Sequence, residues 1–173
     1  MSLNGKKIII LVESEYEDLE VHYPRLRLIE EGATVVVAGT GGDIYTGKRG
    51  YPVKTDGKIS DYDPKGFDAV IIPGGWAPDR LRTNDSAVAF MRKMQQQEKI
   101  VAAICHAGSM LVSADICRGK TVTSYVAVRD DLKAAGAEWV DRSVAVDGKL
   151  ITSRTPADLP DFCREIIKAL GRN

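Results

Sequence analysis

The stretch Ile100-Val101-Ala102-Ala103-Ile104-Cys105-His106-Ala107-Gly108-Ser109 decides the fold. Its first half is an unbroken apolar run, the composition of a strand buried on both faces of a sheet. Its second half leads into Met110-Leu111-Val112-Ser113-Ala114, which reads as helix. Cys105 and His106 stand at the joint, with Ala103 and Ala107 two residues to either side of the cysteine. Small side chains there suit a sharp strand-to-helix turn, whose flanks press together. Such a turn presents Cys105 at the carboxyl end of a strand and near the positive end of a helix, where a thiolate is favoured. The same residues also describe a core strand that ends in a buried cysteine, because unpaired cysteines are often buried. On this stretch alone the two readings stand level.

The rest of the composition narrows the context. A chain of 173 residues is long enough for one well-buried domain and short for two. Lys plus Arg and Asp plus Glu number 24 each, so no net field draws the chain to nucleic acid or to an anionic membrane. The sequence shows neither a long apolar span nor a secretory leader, and its three cysteines, Cys105, Cys117 and Cys163, are too few and too irregular for a disulfide framework. The expectation is a reduced, cytoplasmic protein with no membrane or nucleic-acid partner. No C-x-x-C or H-x-x-x-H spacing is present, so neither a metal site nor a cofactor is expected. His22 and His106 are the only histidines, which makes the choice of imidazole partner for a cysteine nucleophile short.

Outward from the central stretch, strands and helices alternate. Lys7 to Val12 is an apolar strand, followed by Glu13-Ser14-Glu15-Tyr16-Glu17-Asp18 and a helix from about Asp18 to Glu31. Leu19, Tyr23, Leu26 and Ile29 keep the helical period, and Pro24 predicts a kink or short break. The acids of the first turn complement the helix dipole. Glu15 has a sharper possibility: it could lie against Cys105 if the two strands are neighbours, since ligands of open α/β sheets bind outside the carboxyl ends of strands. His22 reads as a packed or surface residue. Thr34 to Ala38 is the second strand, and the glycine-rich segment 39–58 suggests a small hairpin whose Gly-Lys-Arg-Gly tip is a turn, not a phosphate loop. Phe67 to Ile72 ends in Pro73-Gly74-Gly75-Trp76, either a tight turn or an oxyanion-binding corner beside Cys105. Asn84 caps a helix through Glu98. Short strands follow near Thr121, Trp139, Val144 and Ile151, with an Asp147-Gly148 turn, and a last amphipathic helix spans about 156–170, which places Cys163 in the core. The pattern is an α/β sandwich, a mostly parallel sheet with helices on both faces, in one domain over residues 1–173.

The residues now in view resemble the DJ-1/PfpI family, and its PfpI branch most closely. The similarity runs through Glu15-Tyr16-Glu17-Asp18, the hairpin Gly47-Lys48-Arg49-Gly50-Tyr51, Pro73-Gly74-Gly75-Trp76-Ala77-Pro78-Asp79-Arg80, and Ala103-Ile104-Cys105-His106. It continues through Thr123-Ser124-Tyr125, Asp130-Asp131-Leu132, Glu138-Trp139-Val140-Asp141 and Ser153-Arg154-Thr155-Pro156-Ala157-Asp158-Leu159. The resemblance implies a flavodoxin-like three-layer sandwich with Cys105 as nucleophile, Glu15 as the acid that hydrogen-bonds it and His106 as its imidazole. It also implies an oxyanion hole from Gly75 and His106 N–H groups, with Gly74 and Tyr125 lining the substrate site. The acid that orients the histidine in PfpI-type proteins comes from a neighbouring subunit, at the position of Asp79, which implies a homo-oligomer, a dimer or a hexamer of dimers, with the site at the interface. Asp79 stands where the family has glutamate and is one methylene shorter. Ala107-Gly108 stands where it has Gly-Pro, and Val126 where it has proline.

The function implied is a cysteine-dependent hydrolase. Members of the family are described as intracellular cysteine peptidases, and as glyoxalase III or protein deglycases acting on dicarbonyls and their adducts. The alternative is a stress protein whose Cys105 is oxidised without turnover. A sensor needs only Cys105 and its acid, whereas a hydrolase also needs His106 and Asp79.

Overall fold

Apolar runs with β-branched side chains make the centre of a seven-stranded sheet. The computed structural model describes residues 2–171. In chain order its strands are β1 (Lys7–Val12), β2 (Thr34–Gly39), β3 (Ile44–Thr46), β4 (Pro52–Lys54), β5 (Gly57–Lys58), β6 (Ala69–Ile72), β7 (Ile100–Ile104), β8 (Thr121–Val122), β9 (Glu138–Trp139), β10 (Val144–Asp147) and β11 (Leu150–Ser153). Its α-helices are α1 (Asp18–Glu30), α2 (Ala77–Leu81), α3 (Asp85–Gln96), α4 (Gly108–Ser113), α5 (Arg129–Ala134) and α6 (Leu159–Gly171). The sheet order is β10-β11-β7-β6-β1-β2-β5, parallel except for the β10–β11 hairpin. Every residue of β6 and β7 is buried, and β7 is covered by both α3 and α6, as a strand with a layer on each face must be. The α/β sandwich is as the alternation of runs predicts.

Several details differ from the sequence reading, each for a physical reason. α1 runs unbroken through Pro24, which is buried. Its polarity is reversed: Leu19 and Leu26 are 56% and 61% exposed, while Glu17, Asp18 and Glu20 are buried. Val21, Pro24 and Leu28 supply its inner face. The helical period of Leu19, Tyr23 and Leu26 is real, but the stripe faces outward. β8 and β9 pair with each other in a separate small sheet, as do β3 and β4. Asn84 caps α3 as expected, its Oδ1 accepting from the Ala87 N–H at 3.0 Å. α6 turns Leu159, Phe162, Cys163, Ile166 and Leu170 into the core.

Candidate active site

The strand order fixes where chemistry can happen. From β1 the chain crosses to β2 on one side and later to β6 and β7 on the other, so the crevice opens between β1 and β6 at their carboxyl ends. β6 lies between β1 and β7, so a group directly after β1 does not border Cys105 unless something carries it across.

Cys105 ends β7 with φ 62°, in the left-handed region that side chains with a Cβ seldom occupy. That backbone is the sharp turn predicted from Ala103 and Ala107, and it leads through a single 3₁₀ turn into α4. The turn is held by the Tyr125 N–H, which donates to the Cys105 carbonyl at 3.2 Å. Cys105 is only 8% exposed. The backbone N–H groups of His106 and Gly75 lie near the sulfur and pull its pKa down.

Gly74 and Gly75 are glycines because nothing larger fits. A Cβ on Gly74 would lie 2.6 Å from Glu20 Oε2 and 2.7 Å from Cys105 Cβ. Gly75 has φ 73°, and a Cβ there would lie 2.4 Å from the Glu15 carbonyl oxygen. This close approach is an antiparallel stitch between the two loops: the Trp76 N–H donates to Glu15 O at 2.9 Å and the Glu17 N–H to Gly74 O at 3.2 Å. The Gly74 N–H is itself taken up by Glu20 Oε2 at 2.6 Å. Gly74 therefore supports the carboxyl and its N–H is already engaged, whereas the N–H groups of Gly75 and His106 face the sulfur.

The acid beside the sulfur is Glu20, not Glu15. Glu15 is half-exposed and paired with Arg80 at the rim. Glu20 sits in the first turn of α1, wholly buried, and its carboxyl lies over Gly74 beside Cys105. Its Oε1 has no hydrogen-bond partner among the described residues. Strand order explains the correction. Glu15 leaves β1 with β6 between it and Cys105, whereas a helix turn and the missing side chain at Gly74 bring Glu20 across. A signal was present in the sequence, since Glu17 and Glu20 are three apart and so share a face of α1.

Burial, then the charge of neighbouring Glu17, raise the Glu20 pKa from 4.5 to about 8, against the pull of the Gly74 N–H. Near neutral pH the carboxyl keeps its proton. Burial also pushes the Cys105 thiol up to about 12, and the charge of an ionised Glu20 is the second cause. The thiolate expected from the helix terminus is thus opposed by desolvation. The second cause vanishes while Glu20 is protonated, and the carboxyl then becomes a donor to the sulfur. Lys48 also favours the thiolate. It stands at the tip of the β3–β4 hairpin, its Nζ 2.7 Å from the buried Glu17 carboxylate. Sequence reasoning read that tip as a turn only; its folding back over the site depends on non-local contacts such as Lys48 N–H to Tyr16 O at 2.9 Å.

His106 follows the nucleophile directly. Its ring stacks on Tyr125, with centroids 5.0 Å apart and an interplanar angle of 27°, and lies 5.7 Å from the Trp76 ring at 47°. Burial lowers its pKa, and the charge of Asp79 on α2 opposes this. Among the described residues, no hydrogen bond joins Asp79 to His106 within one chain. His22 lies apart, against Tyr16 and Tyr51. Cys117 and Cys163 are buried and unpaired.

Residues 6–169 match the model of the DJ-1/PfpI family. The chain is 46% identical over 164 residues to the "Deglycase PfpI" of Pyrococcus furiosus, covering 95% of this chain and 99% of that protein. Among solved structures, a two-domain protein of Anabaena variabilis containing DJ-1/ThiJ/PfpI-like and ferritin-like domains superposes with TM-score 0.94 at 42% identity. The match covers 96% of this chain and 48% of that one. Drosophila melanogaster DJ-1beta superposes with TM-score 0.90 at 27% identity, over 96% of this chain and 90% of its own.

Proposed function

The chain belongs to the DJ-1/PfpI family, and from that premise we propose that residues 1–173 act as one domain, a cysteine-dependent hydrolase of the PfpI type. Its substrate is a small dicarbonyl or the adduct of one with an amine or thiol. The observation that carries this reading is the convergence on one sulfur of two backbone N–H donors and a buried carboxyl that keeps its proton.

The Cys105 thiolate adds to the aldehyde carbon, forming the C–S bond while the carbonyl π pair moves to oxygen. That oxyanion develops beside the Gly75 and His106 N–H groups and takes a proton from Glu20. His106 removes the proton on the attacked carbon and returns it to the adjacent carbonyl carbon, while the proton on the first oxygen passes by way of Glu20 to the second. The resulting thioester is hydrolysed by water, which releases a 2-hydroxy acid as its carboxylate, restores the thiol and returns a proton to Glu20. No oxidant or reductant is consumed. The near-complete burial of Cys105, 8% exposed, favours a three-carbon dicarbonyl over an extended peptide.

The same reading makes the working form a homo-oligomer, a dimer or a hexamer of dimers, with Asp79 of a neighbouring copy completing the contact to His106. Two observations support it: Asp79 and His106 are not hydrogen-bonded within one chain, and α1 exposes the apolar stripe Leu19, Tyr23 and Leu26. A reduced compartment such as the cytoplasm suits a thiol nucleophile accompanied by two further unpaired cysteines.

The test is consumption of methylglyoxal by the wild type and by Cys105→Ala, beside a fluorogenic peptide assay on the same preparations. Loss of methylglyoxal that disappears in the variant is the expected result. Peptide cleavage without dicarbonyl turnover would make the protein a peptidase. Activity on neither substrate, with Cys105 still rapidly alkylated, would leave an oxidation sensor in its place.

A further inference from the structure

The most exposed aromatic side chain near the nucleophile is also the one with no role in the reaction so far. Trp76 is 54% exposed, yet its ring lies against His106 at the mouth of the site. It is held there by its backbone, whose N–H is taken by Glu15 O in the stitch between the loops after β1 and β6. Tyr125 reaches the same imidazole from the other direction. Its segment follows β8 and is anchored near β11, where the Thr123 N–H donates to Thr152 Oγ1 at 2.9 Å. β6 and β11 are the two neighbours of β7, and His106 lies in the turn that follows that strand, in contact with both rings.

We propose that Trp76 is a positioning residue for His106: together with Tyr125 it forms an aromatic clasp on the imidazole, so that the plane is fixed and proton transfer is left to the ring edge. The proposal rests on the reading of His106 as the proton-transfer group. Its physical basis is the geometry of aromatic pairs, which favours offset or tilted contacts at centroid separations of about 4.5–7 Å, and both contacts fall in that range. The clasp acts by removing water from the ring, which favours the neutral imidazole that a base must be.

The charged groups that face His106 are Asp79 on α2 and Lys48 on the hairpin, and their effects on its charge oppose one another. Cys105 is its chain neighbour, with Glu20 of α1 behind it. Desolvation is the largest influence on the imidazole, and it lowers the pKa. Folded His106 is therefore neutral at pH 7, and proton abstraction is lost as pH falls through its lowered midpoint.

The experiment is an NMR titration of the His106 ring in the wild type, Trp76→Ala and Trp76→Phe. The chain has two histidines, so His22→Gln completes the assignment. Trp76 is half-exposed, and its removal leaves the core intact. We expect the Trp76→Ala midpoint to rise measurably toward the ordinary imidazole value, and Trp76→Phe to restore most of the wild-type value. The acid limb of kcat/KM for methylglyoxal should move upward with it, while alkylation of Cys105 at pH 7 stays within about twofold of the wild type. A His106 midpoint that is the same in Trp76→Ala and wild type overturns the proposal, as does a pH profile that fails to follow the midpoint in an active enzyme. If the wild type turns over no dicarbonyl but the midpoint shifts as expected, the clasp stands and the proposed reaction falls.

Discussion

Replacing Glu20 by leucine, a side chain of similar size without polar atoms, isolates what the carboxyl does for the sulfur. With its pKa raised to about 8, Glu20 is protonated at pH 7 and can donate to Cys105. A hydrogen bond with one charged partner contributes about 1.5–3 kcal/mol, and one pKa unit corresponds to about 1.4 kcal/mol. Losing the donor should raise the ionisation midpoint of Cys105 by about 1–2 units and slow its alkylation at pH 7 about 10- to 100-fold. The assay is the rate of iodoacetamide labelling as a function of pH, resolved to Cys105 by mass spectrometry because Cys117 and Cys163 are also thiols. The sign decides the matter. If Glu20 were ionised beside the sulfur, its charge would hold the thiol up, and removing it would lower the midpoint. A lower midpoint in Glu20→Leu refutes the argument. The variant also leaves the Gly74 N–H without its acceptor, at a cost of about 1–3 kcal/mol, so urea unfolding on the same samples separates lost stability from lost reactivity.

Two other substitutions test the same geometry. Glu15→Gln removes one charge from a half-exposed pair with Arg80, worth under about 1 kcal/mol; Cys105 alkylation should stay within about twofold of the wild type, and a tenfold fall would return Glu15 to the site. Gly74→Ala places a methyl group 2.6 Å from Glu20 Oε2 and 2.7 Å from Cys105 Cβ; unfolding free energy should drop by about 1–3 kcal/mol and alkylation should slow with it, while wild-type stability and labelling would show that the carboxyl does not cross at that point.

The sheet was legible because its information is local. Ile100 to Ile104 is apolar at every position, and such a run has few alternatives to a strand covered on both faces. The elbow was legible for the same reason, since Ala103 and Ala107 permit the turn that Cys105 makes. The identity of the acid was not, because it depends on which strands are neighbours. Glu15, Glu17 and Glu20 differ little as letters, and only the order β7-β6-β1 decides that one must reach across a glycine. The outward turn of Leu19 and Leu26 escaped for a related reason. A periodic stripe tells that a helix has two faces, and the usual assumption puts leucine inside. Here the buried site claims the inner face for Glu17, Asp18 and Glu20, and the leucines are left outside. Lys48 and Trp76 belong with these: a hairpin tip and a loop residue gain meaning only from what they fold against.

The path of Glu20 over Gly74 to Cys105 also sets an order of events during synthesis and folding. The three residues belong to segments far apart in the sequence, and the middle one enters through β6, which must insert between β1 and β7. Contacts of such sequence separation form late and slowly compared with helices and hairpins. The surroundings of the sulfur are therefore a timer for the last central pairing of the sheet. A chain trapped with β6 displaced lacks Gly74 and Gly75 beside Cys105 and leaves its thiol in ordinary surroundings. A change in the alkylation rate of Cys105 during refolding marks the moment when the sheet closes.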